Sequence, residues 1–369
     1  MLRFLTAGES HGPCLTAIVE GLPAGLAIDF DAINNDLARR QGGYGRGGRM
    51  KIEKDQVHLQ SGVISGRTTG APVAIRIENR DWRNWEQNWE LGTLPKLTVP
   101  RPGHADYAGM QKYGLQDARP ILERASARET AARVAVGGLA KQLLATIGVS
   151  VGSYVCEIGG VIADIPDLAP QELWALAEAS DVRCPDPSAS MRIRDAIDHA
   201  RQSGDSLGGV FTVIATNPPV GLGSHVQWDR RLDARLAAAL VSIQAIKGVE
   251  IGPAFENARR LGTHVHDELF LDESGAVYRA TNRAGGLEGG MTNGEPIVLR
   301  AAMKPIPTTV TPLRSVDLAA GQPAATQYQR SDVCAVPAAA VVGEAMVAWV
   351  LADACLEVSG ADTVQELRR

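Results

Sequence analysis

The segment "PAAAVVGEAMVAWVLADACLEV", from Pro337 to Val358, is apolar nearly all round, with Glu344, Asp353 and Glu357 as its charged residues. Those carboxylates set it apart from an uncharged membrane span. A helix without a polar face has to be covered on every side, so this one belongs inside a protein core. Pro337 suits its first turn and Gly360 its end. The chain is large enough to supply the cover, since 369 residues of 45% hydrophobic content allow a large core in one or two domains. Its 39 glycines and 20 prolines are spread over the whole length, and no repeat, low-complexity tail or linker divides it. A single domain over residues 1–369 is expected.

Two further helices are legible. "RRLDARLAAALVSIQAIKG" sets Leu232, Leu236, Leu240 and Ile243 on one stripe and stops at Gly248. "RASARETAARVAVGGLAKQLLATIG" begins at Ser126, which has capping-box spacing to Glu129; Ala131, Ala135, Leu139 and Leu143 form its buried stripe, and Gly148 ends it. Strands are expected around Val73, Ile75 and Ile77, and in "FTVIAT" and "EPIVLRAAM". They come without the regular alternation of a parallel βαβ sheet.

A formal net charge of -5 argues against a protein held to nucleic acid mainly by phosphate contacts. The five cysteines, Cys14, Cys156, Cys184, Cys334 and Cys355, are scattered without a CxxC pair, against both a disulfide framework and a structural zinc site. Near the start, Glu9 and His11 interrupt any signal-peptide apolar region. A soluble cytoplasmic protein, with no membrane and no nucleic-acid partner, is expected.

Against that acidic background "RRQGGYGRGGRMK", Arg39 to Lys51, is a local basic feature. Gly43, Gly45 and Gly48 satisfy GxGxxG, but the pattern follows a polar, helical "NNDLARRQ" rather than the hydrophobic strand that a dinucleotide fold requires. A non-catalytic polyanion-binding or RNA-binding role would want repeated aromatic interleaving, and Tyr44 is alone. What remains is a loop whose Arg40, Arg46 and Arg49 can close on carboxylate or phosphate. Arg124 and Arg128 flank Ser126 at a helix start that also favours anions, unless Glu123 and Glu129 pair with them on a surface helix. Two such sites imply a ligand with several negative groups. His11 in "GESHG" and His104 in "RPGHAD" sit in glycine- and proline-bounded loops that suit catalytic groups. His264 and His266 share one face of an expected strand and could serve a metal-dependent hydrolase, but no third ligand follows from spacing, and they are taken as non-catalytic. Arg330 and Asp332 stand just before the Pro337 helix.

Taken in order, "GESHG", "RRQGGYGRGGRM", "RPGHADY", "KYG", "RASARETAARVA", "SIQAIKGVEIG", "AGGLEGGMTNGEPI", "KPIPT" and "RSDVCAVP" resemble the chorismate synthase family from Met1 to about Val358. That resemblance implies a lyase of the shikimate pathway, serving aromatic amino-acid biosynthesis. Its reaction turns 5-enolpyruvylshikimate 3-phosphate into chorismate and phosphate by anti-1,4-elimination, dependent on reduced FMN without net redox change. It also implies an α+β fold, a β-α-β sandwich with long central helices between antiparallel sheets, assembled as a homotetramer.

By the same resemblance Ser10, Arg40, Arg46, Arg49, Ser126, Arg128 and Arg330 would hold the substrate. His11 would protonate departing phosphate, His104 would donate to the flavin N1 and O2 region, and Asp332, kept ionised by neighbouring Arg330, would act with flavin N5 in removing the ring proton. FMN would be held by Arg124, Ala125, Ser126, Gln244, Ala245, Gly289, Lys304, Pro305, Ile306, Pro307, Thr308 and Arg330. The chain departs from some members in having Gln41 and Gln244 where arginine and asparagine can occur. Some members reduce flavin with NADPH near the positions of Arg40 and Arg46. Without a dinucleotide fold, NADPH(NADP) would enter here only as an indirect reductant, with reduced FMN supplied by an external flavin reductase or another source.

Overall fold

The structure, a computed structural model, describes residues 1–368. Its longest helix is Val336–Ser359, capped by left-handed Gly360, whose amide donates to Leu356. By length and composition this helix could cross a membrane, yet 94% of its most apolar stretch is buried within the protein. It packs along Thr130–Ala145 so tightly that a Cβ on Gly137 would lie 2.3 Å from that of Ala345. Only glycine permits that approach, and forcing an extra carbon into such packing costs about 1–3 kcal/mol.

Each of these helices also covers a sheet. Thr130–Ala145 packs on the antiparallel order Arg3–Ala7, Cys14–Glu20, Val73–Glu78, His58–Ser61. There Leu15, Ala17 and Val19 pair in register with Ile77, Ile75 and Val73, all buried, while Leu5 and Ile18 point outward. This is the alternation expected when one face of a sheet meets the core. Val336–Ser359 packs on the second antiparallel sheet, ordered Ile246–Ile251, Ile297–Met303, Gly209–Thr216, Ser150–Ile158, Val161–Ile162. Its inner face carries Phe211 and Val213 opposite Ala301 and Leu299, and Leu173 and Ala177 of helix Pro170–Glu178 pack on Tyr154 and Ile214 behind it. Mixed helices and antiparallel sheets give an α+β fold.

Glu344 shows why the long helix tolerates a charge at its centre. Its carboxylate is fully buried and accepts from Arg39 and, at 2.6 Å each, from Lys141 and Ser153, with Arg183 at 3.2 Å. Burial works to raise its carboxyl, but the charges of Lys141 and Arg39 overcome this and hold it far below the usual range. The cluster ties both long helices to Phe30–Gln41 and to strand Ser150–Ile158.

Three expectations change. The α-helix expected from Ser126 starts at Thr130. Ser126 instead closes helix Arg119–Ala125 and caps a 3₁₀ turn, Ala127–Glu129, by accepting from the Arg128 amide at 3.2 Å. Glu129 turns away from Ser126 to Thr6, Arg133 and Gln244, so no capping box forms. The Leu232, Leu236, Leu240 and Ile243 stripe is buried as expected, but its helix ends at Val241. Ala245 then adopts a left-handed φ of 68°, and pairing with Ile297–Met303 takes the chain into a strand. His264 lies in the 3₁₀ turn Gly262–His264, where His264, Val265 and His266 amides donate back to Leu261 and Gly262, so the two histidines share no strand face.

Candidate active site

The motif residues lie on loops that gather where both long helices begin. Residues 8–12 join the first two strands, 42–53 follow Phe30–Gln41, and 79–85 follow Val73–Glu78. Residues 126–129 and 330–334 lead into the two long helices. Gly47 allows the arginine loop to lie on the last of these, for a Cβ there would be 2.7 Å from the Ser331 carbonyl. Val333 and Cys334 donate to Gly45 in the same contact.

Four arginines enter this junction with carboxylate partners. Arg128 and Arg40 converge on buried Asp55, at 2.7 and 2.9 Å. Arg128 Nε also donates to Asn79 at 2.7 Å, and Asn79 Nδ2 donates to the Gly12 carbonyl at 2.7 Å, pinning the His11 loop to the arginine. Arg49 bonds Ser10 through its carbonyl and, at 2.7 Å, its hydroxyl, with buried Glu53 3.2 Å away. Arg46 Nη1 meets Asp332 at 2.6 Å. Nearby Arg330, more exposed, pairs with buried Asp81. Asp332 is therefore neighboured by Arg46, not by the expected Arg330, because Asp81 takes the latter's guanidinium.

The cations crowd one another. Burial, chiefly, brings Arg40 down to about 10 against the attraction of Asp55, and the positive charges of Arg128 and Arg46 push the same way. Burial and Arg128 likewise lower Arg49 despite Glu53. Asp55 is held below the usual carboxylate range because Arg40 and Arg128 outweigh its burial. Five guanidiniums face four carboxylates, Glu53, Asp55, Asp81 and Asp332, and the buried Nε atoms of Arg40 and Arg46 have no hydrogen-bond partner. An arriving anion would relieve both the surplus charge and the unpaired donors. Gln41 adds no cation; its amide oxygen accepts from the Asp55 backbone at 3.0 Å.

His11 stands beside this cluster. Its Nδ1 is 3.0 Å from Glu123 Oε1, and its ring lies 4.1 Å from that of Trp85. His104 forms a second station, with Nδ1 against Asp106 and Arg101 Nη2 3.0 Å away. Asp106 sits well below the usual range since hydrogen bonds from His104 and Arg101 overcome its burial. Arg101 Nη1 donates to Thr308 at 3.2 Å, and Lys304 Nζ donates to the Gly103 carbonyl at 2.9 Å, so the 304–308 loop lies against the His104 loop.

Ala245 accepts from the Lys304 amide at 3.0 Å, and Gln244 donates to Glu129 at 3.2 Å. Arg124 turns away from Arg128 toward Thr6, donating to its carbonyl at 2.8 Å. Arg124, Gln244, Thr6, Glu129 and Arg133 line a cavity of about 440 Å³, and Gln244 Oε1 is buried without a partner. Volume and orphaned acceptor suit a polar organic ligand. Gly289 is not brought to this group. Gly290 accepts from Leu232 at the start of Leu232–Val241, whereas Gln244 lies past its end, about 15 Å along a ten-residue helix. Among the described residues no group of three or more metal-ligating side chains forms.

The sequence marks no role for Glu53, Asp55, Asn79, Asp81, Trp85, Arg101 and Asp106, and Glu123, legible there only as a surface ion-pair partner, is instead buried against His11. A buried cation needs a partner, so the surplus of arginines near the start of the chain signalled that carboxylates would join them, without saying which.

Loop-borne arginines in excess of their carboxylates, with two histidines each held by its own carboxylate, are the equipment of an enzyme acting on a small anionic molecule. The chorismate synthase sequence profile matches residues 2–356. Chorismate synthases of Pelobacter propionicus and Desulforudis audaxviator are each 57% identical over all of this chain and 97% and 95% of theirs. That of Geobacter metallireducens is 56% identical over 100% and 97%. A crystal structure of chorismate synthase superposes with a TM-score of 0.80 at 45% identity, covering 100% of this chain and 95% of that one. The chain belongs to the chorismate synthase family: it is a lyase that forms chorismate in the shikimate pathway, and the family implies a flavin cofactor.

Proposed function

We propose that the chain converts 5-enolpyruvylshikimate 3-phosphate to chorismate and phosphate by a reduced-FMN-dependent anti-1,4-elimination. The observation that carries this reading is the convergence of Arg40, Arg46, Arg49, Arg128 and Arg330 with Ser10 and His11, a cation surplus matched to a phosphate and two carboxylates. In the elimination one ring C–H bond and the C–O bond to phosphate break: the C–H pair becomes a new ring double bond, the existing one shifts toward the carbon that loses phosphate, the C–O pair leaves with phosphate, and no net oxidation occurs. Reduced FMN, when bound, supplies the electron-rich ring that assists phosphate loss and is returned reduced.

The chain's own residues orient and move protons. His11 delivers a proton to the leaving phosphate oxygen, and the arginines hold the dianion as it forms. Asp332 would accept the ring proton. His104, braced by Asp106, would be the donor to a bound flavin. Arg124 and Gln244, which line the cavity, would hold FMN together with Ala125, Ser126 and Ala245 beside them in sequence, Lys304 to Thr308 would approach from the His104 side, and Lys304 and Arg330 would suit its phosphate. Gly289 joins this set only on the resemblance. The order sheet, helix Thr130–Ala145, helix Val336–Ser359, sheet supports a single-domain β-α-β sandwich. Exposed apolar residues on the hairpin Leu269–Leu271 and Val277–Arg279 support a homotetramer. A cytoplasmic setting and an outside source of reduced FMN complete the reading.

The deciding assay is anaerobic phosphate release from the substrate, with and without dithionite-reduced FMN. Release only with reduced FMN is expected. Release without flavin that EDTA abolishes would point to a metal-dependent hydrolase, and no release together with RNA retardation in gels would point to polyanion binding.

A further inference from the structure

Glu123 lies in the short helix Arg119–Ala125, and its carboxylate is almost wholly buried. It makes two kinds of contact with one residue. Oε2 accepts from the His11 backbone amide at 2.8 Å, while Oε1 and Oε2 lie 3.0 and 3.1 Å from His11 Nδ1. The Glu123 backbone carbonyl accepts from the Ser10 amide at 3.1 Å, so the carboxylate and its own main chain grip consecutive residues of the loop. Arg119 approaches the same carboxylate at 3.7 Å and lies 5.6 Å from the centre of the Trp85 ring, which also lies against the His11 ring.

We infer that Glu123 is the positioning residue of the His11 acid, fixing which ring nitrogen carries the transferable proton. This rests on the proposed role of His11. An ionised carboxylate offers only acceptors, so the facing Nδ1 must carry hydrogen, and Nε2 is left to deliver a proton. On transfer the Nε2–H bond breaks and a phosphate O–H forms. The neutral ring that remains is the Nδ1–H tautomer, already matched to Glu123, so the step requires no rearrangement of the ring. Trp85 restrains rotation from the face while Glu123 restrains it from the edge. The geometry is selective for carboxylate: a glutamine could accept from either the backbone amide or Nδ1–H, but its NH₂ would then oppose the other donor.

The test uses the full chain with Glu123→Gln, Glu123→Asp and His11→Ala, assayed under reduced FMN, alongside ¹⁵N NMR of imidazole-labelled protein. The inference expects Glu123→Gln to lower kcat at least about 10-fold, with KM and FMN affinity within about twofold, and Glu123→Asp to recover part of the loss. In the wild type the His11 signal should show hydrogen on Nδ1, as the Nδ1–H tautomer or imidazolium, and in Glu123→Gln the neutral ring should shift toward the Nε2–H form. An unchanged kcat, a loss confined to KM, or a wild-type Nε2–H tautomer would each overturn it. If the glutamine variant does not fold, the wild-type spectrum decides. Full activity in His11→Ala would instead defeat the acid reading, whereas inactivity there with an unimpaired Glu123→Gln defeats the positioning role alone.

Discussion

The Asp332 carboxylate is clamped by two neighbours in one loop: Arg46 Nη1 and the Gly47 amide each donate to it at 2.6 Å. The charge needed on the anion and the base expected to remove a proton are thus fastened together. Ligand binding that draws Arg46 toward phosphate or carboxylate would free Asp332 to accept a proton.

From that arrangement, Asp332→Asn should form chorismate at least about 10²-fold more slowly because asparagine is not basic, while substrate and FMN affinity fall far less, since the amide oxygen still accepts from Gly47 although its NH₂ now faces Arg46 Nη1. Single-turnover rates beside equilibrium titrations check it. Comparable losses of rate and affinity would make Asp332 a partner that only positions Arg46.

His11→Ala and His104→Ala should each reduce turnover by about 10²-fold or more with the fold retained, because Glu123 keeps the residue-11 backbone amide and Asp106 keeps Arg101 as donors. The assay needs reduced flavin in excess, so that a binding defect at the His104 station is not read as slow chemistry. A near-normal rate would return that histidine to a structural role.

How far the sequence alone led differs by feature. The burial of Val336–Ser359 was legible because a helix without a polar face has one environment open to it. The strand around Val73, Ile75 and Ile77 was legible from its period of two. The early end of Leu232–Val241 was not, since strand pairing with residues 297–303 overrode a helical pattern that continued to Ile243. Within the site, the arginines announced themselves by clustering, but their partners Asp55, Asn79 and Asp81 are set by packing of segments far apart in sequence. The divergence of Arg124 from Arg128 had no local signal either, for it follows from the 3₁₀ turn between them and the long helix.

Arg46→Ala should weaken substrate binding more than flavin binding, by about 2–5 kcal/mol if it meets a buried anion, and inorganic phosphate should raise the melting temperature of the wild type more than that of the variant. Burial chiefly, and after it the neighbouring positive charges, lowers Arg40 and Arg49, and an arriving anion offsets those neighbouring charges. Calorimetric titration and thermal shift measure the two effects. A larger loss for FMN would assign the loop to the cofactor.

The last prediction concerns acid. Glu344 and Asp55 both have folded-state carboxyls below their ordinary values, Glu344 by the charges of Lys141 and Arg39 and Asp55 by those of Arg40 and Arg128, each against burial. An unfolded chain releases these groups to about 3.9–4.3, so the folded state binds fewer protons and its stability from them is complete above that range. It is lost as the pH falls through about 4 toward the depressed folded values. Melting temperature should therefore be insensitive to these groups between about pH 5 and 7 and decline steeply below about pH 4. Glu344→Gln leaves Arg39, Lys141 and Arg183 without their shared counter-charge, and breaking such a buried cluster costs about 3–5 kcal/mol at neutral pH. The variant has no carboxyl to protonate at that position, so its acid slope should be shallower and the two curves should converge as pH falls. Parallel curves from pH 7 to 3, followed by circular dichroism, would show that Glu344 contributes through packing and not through its charge.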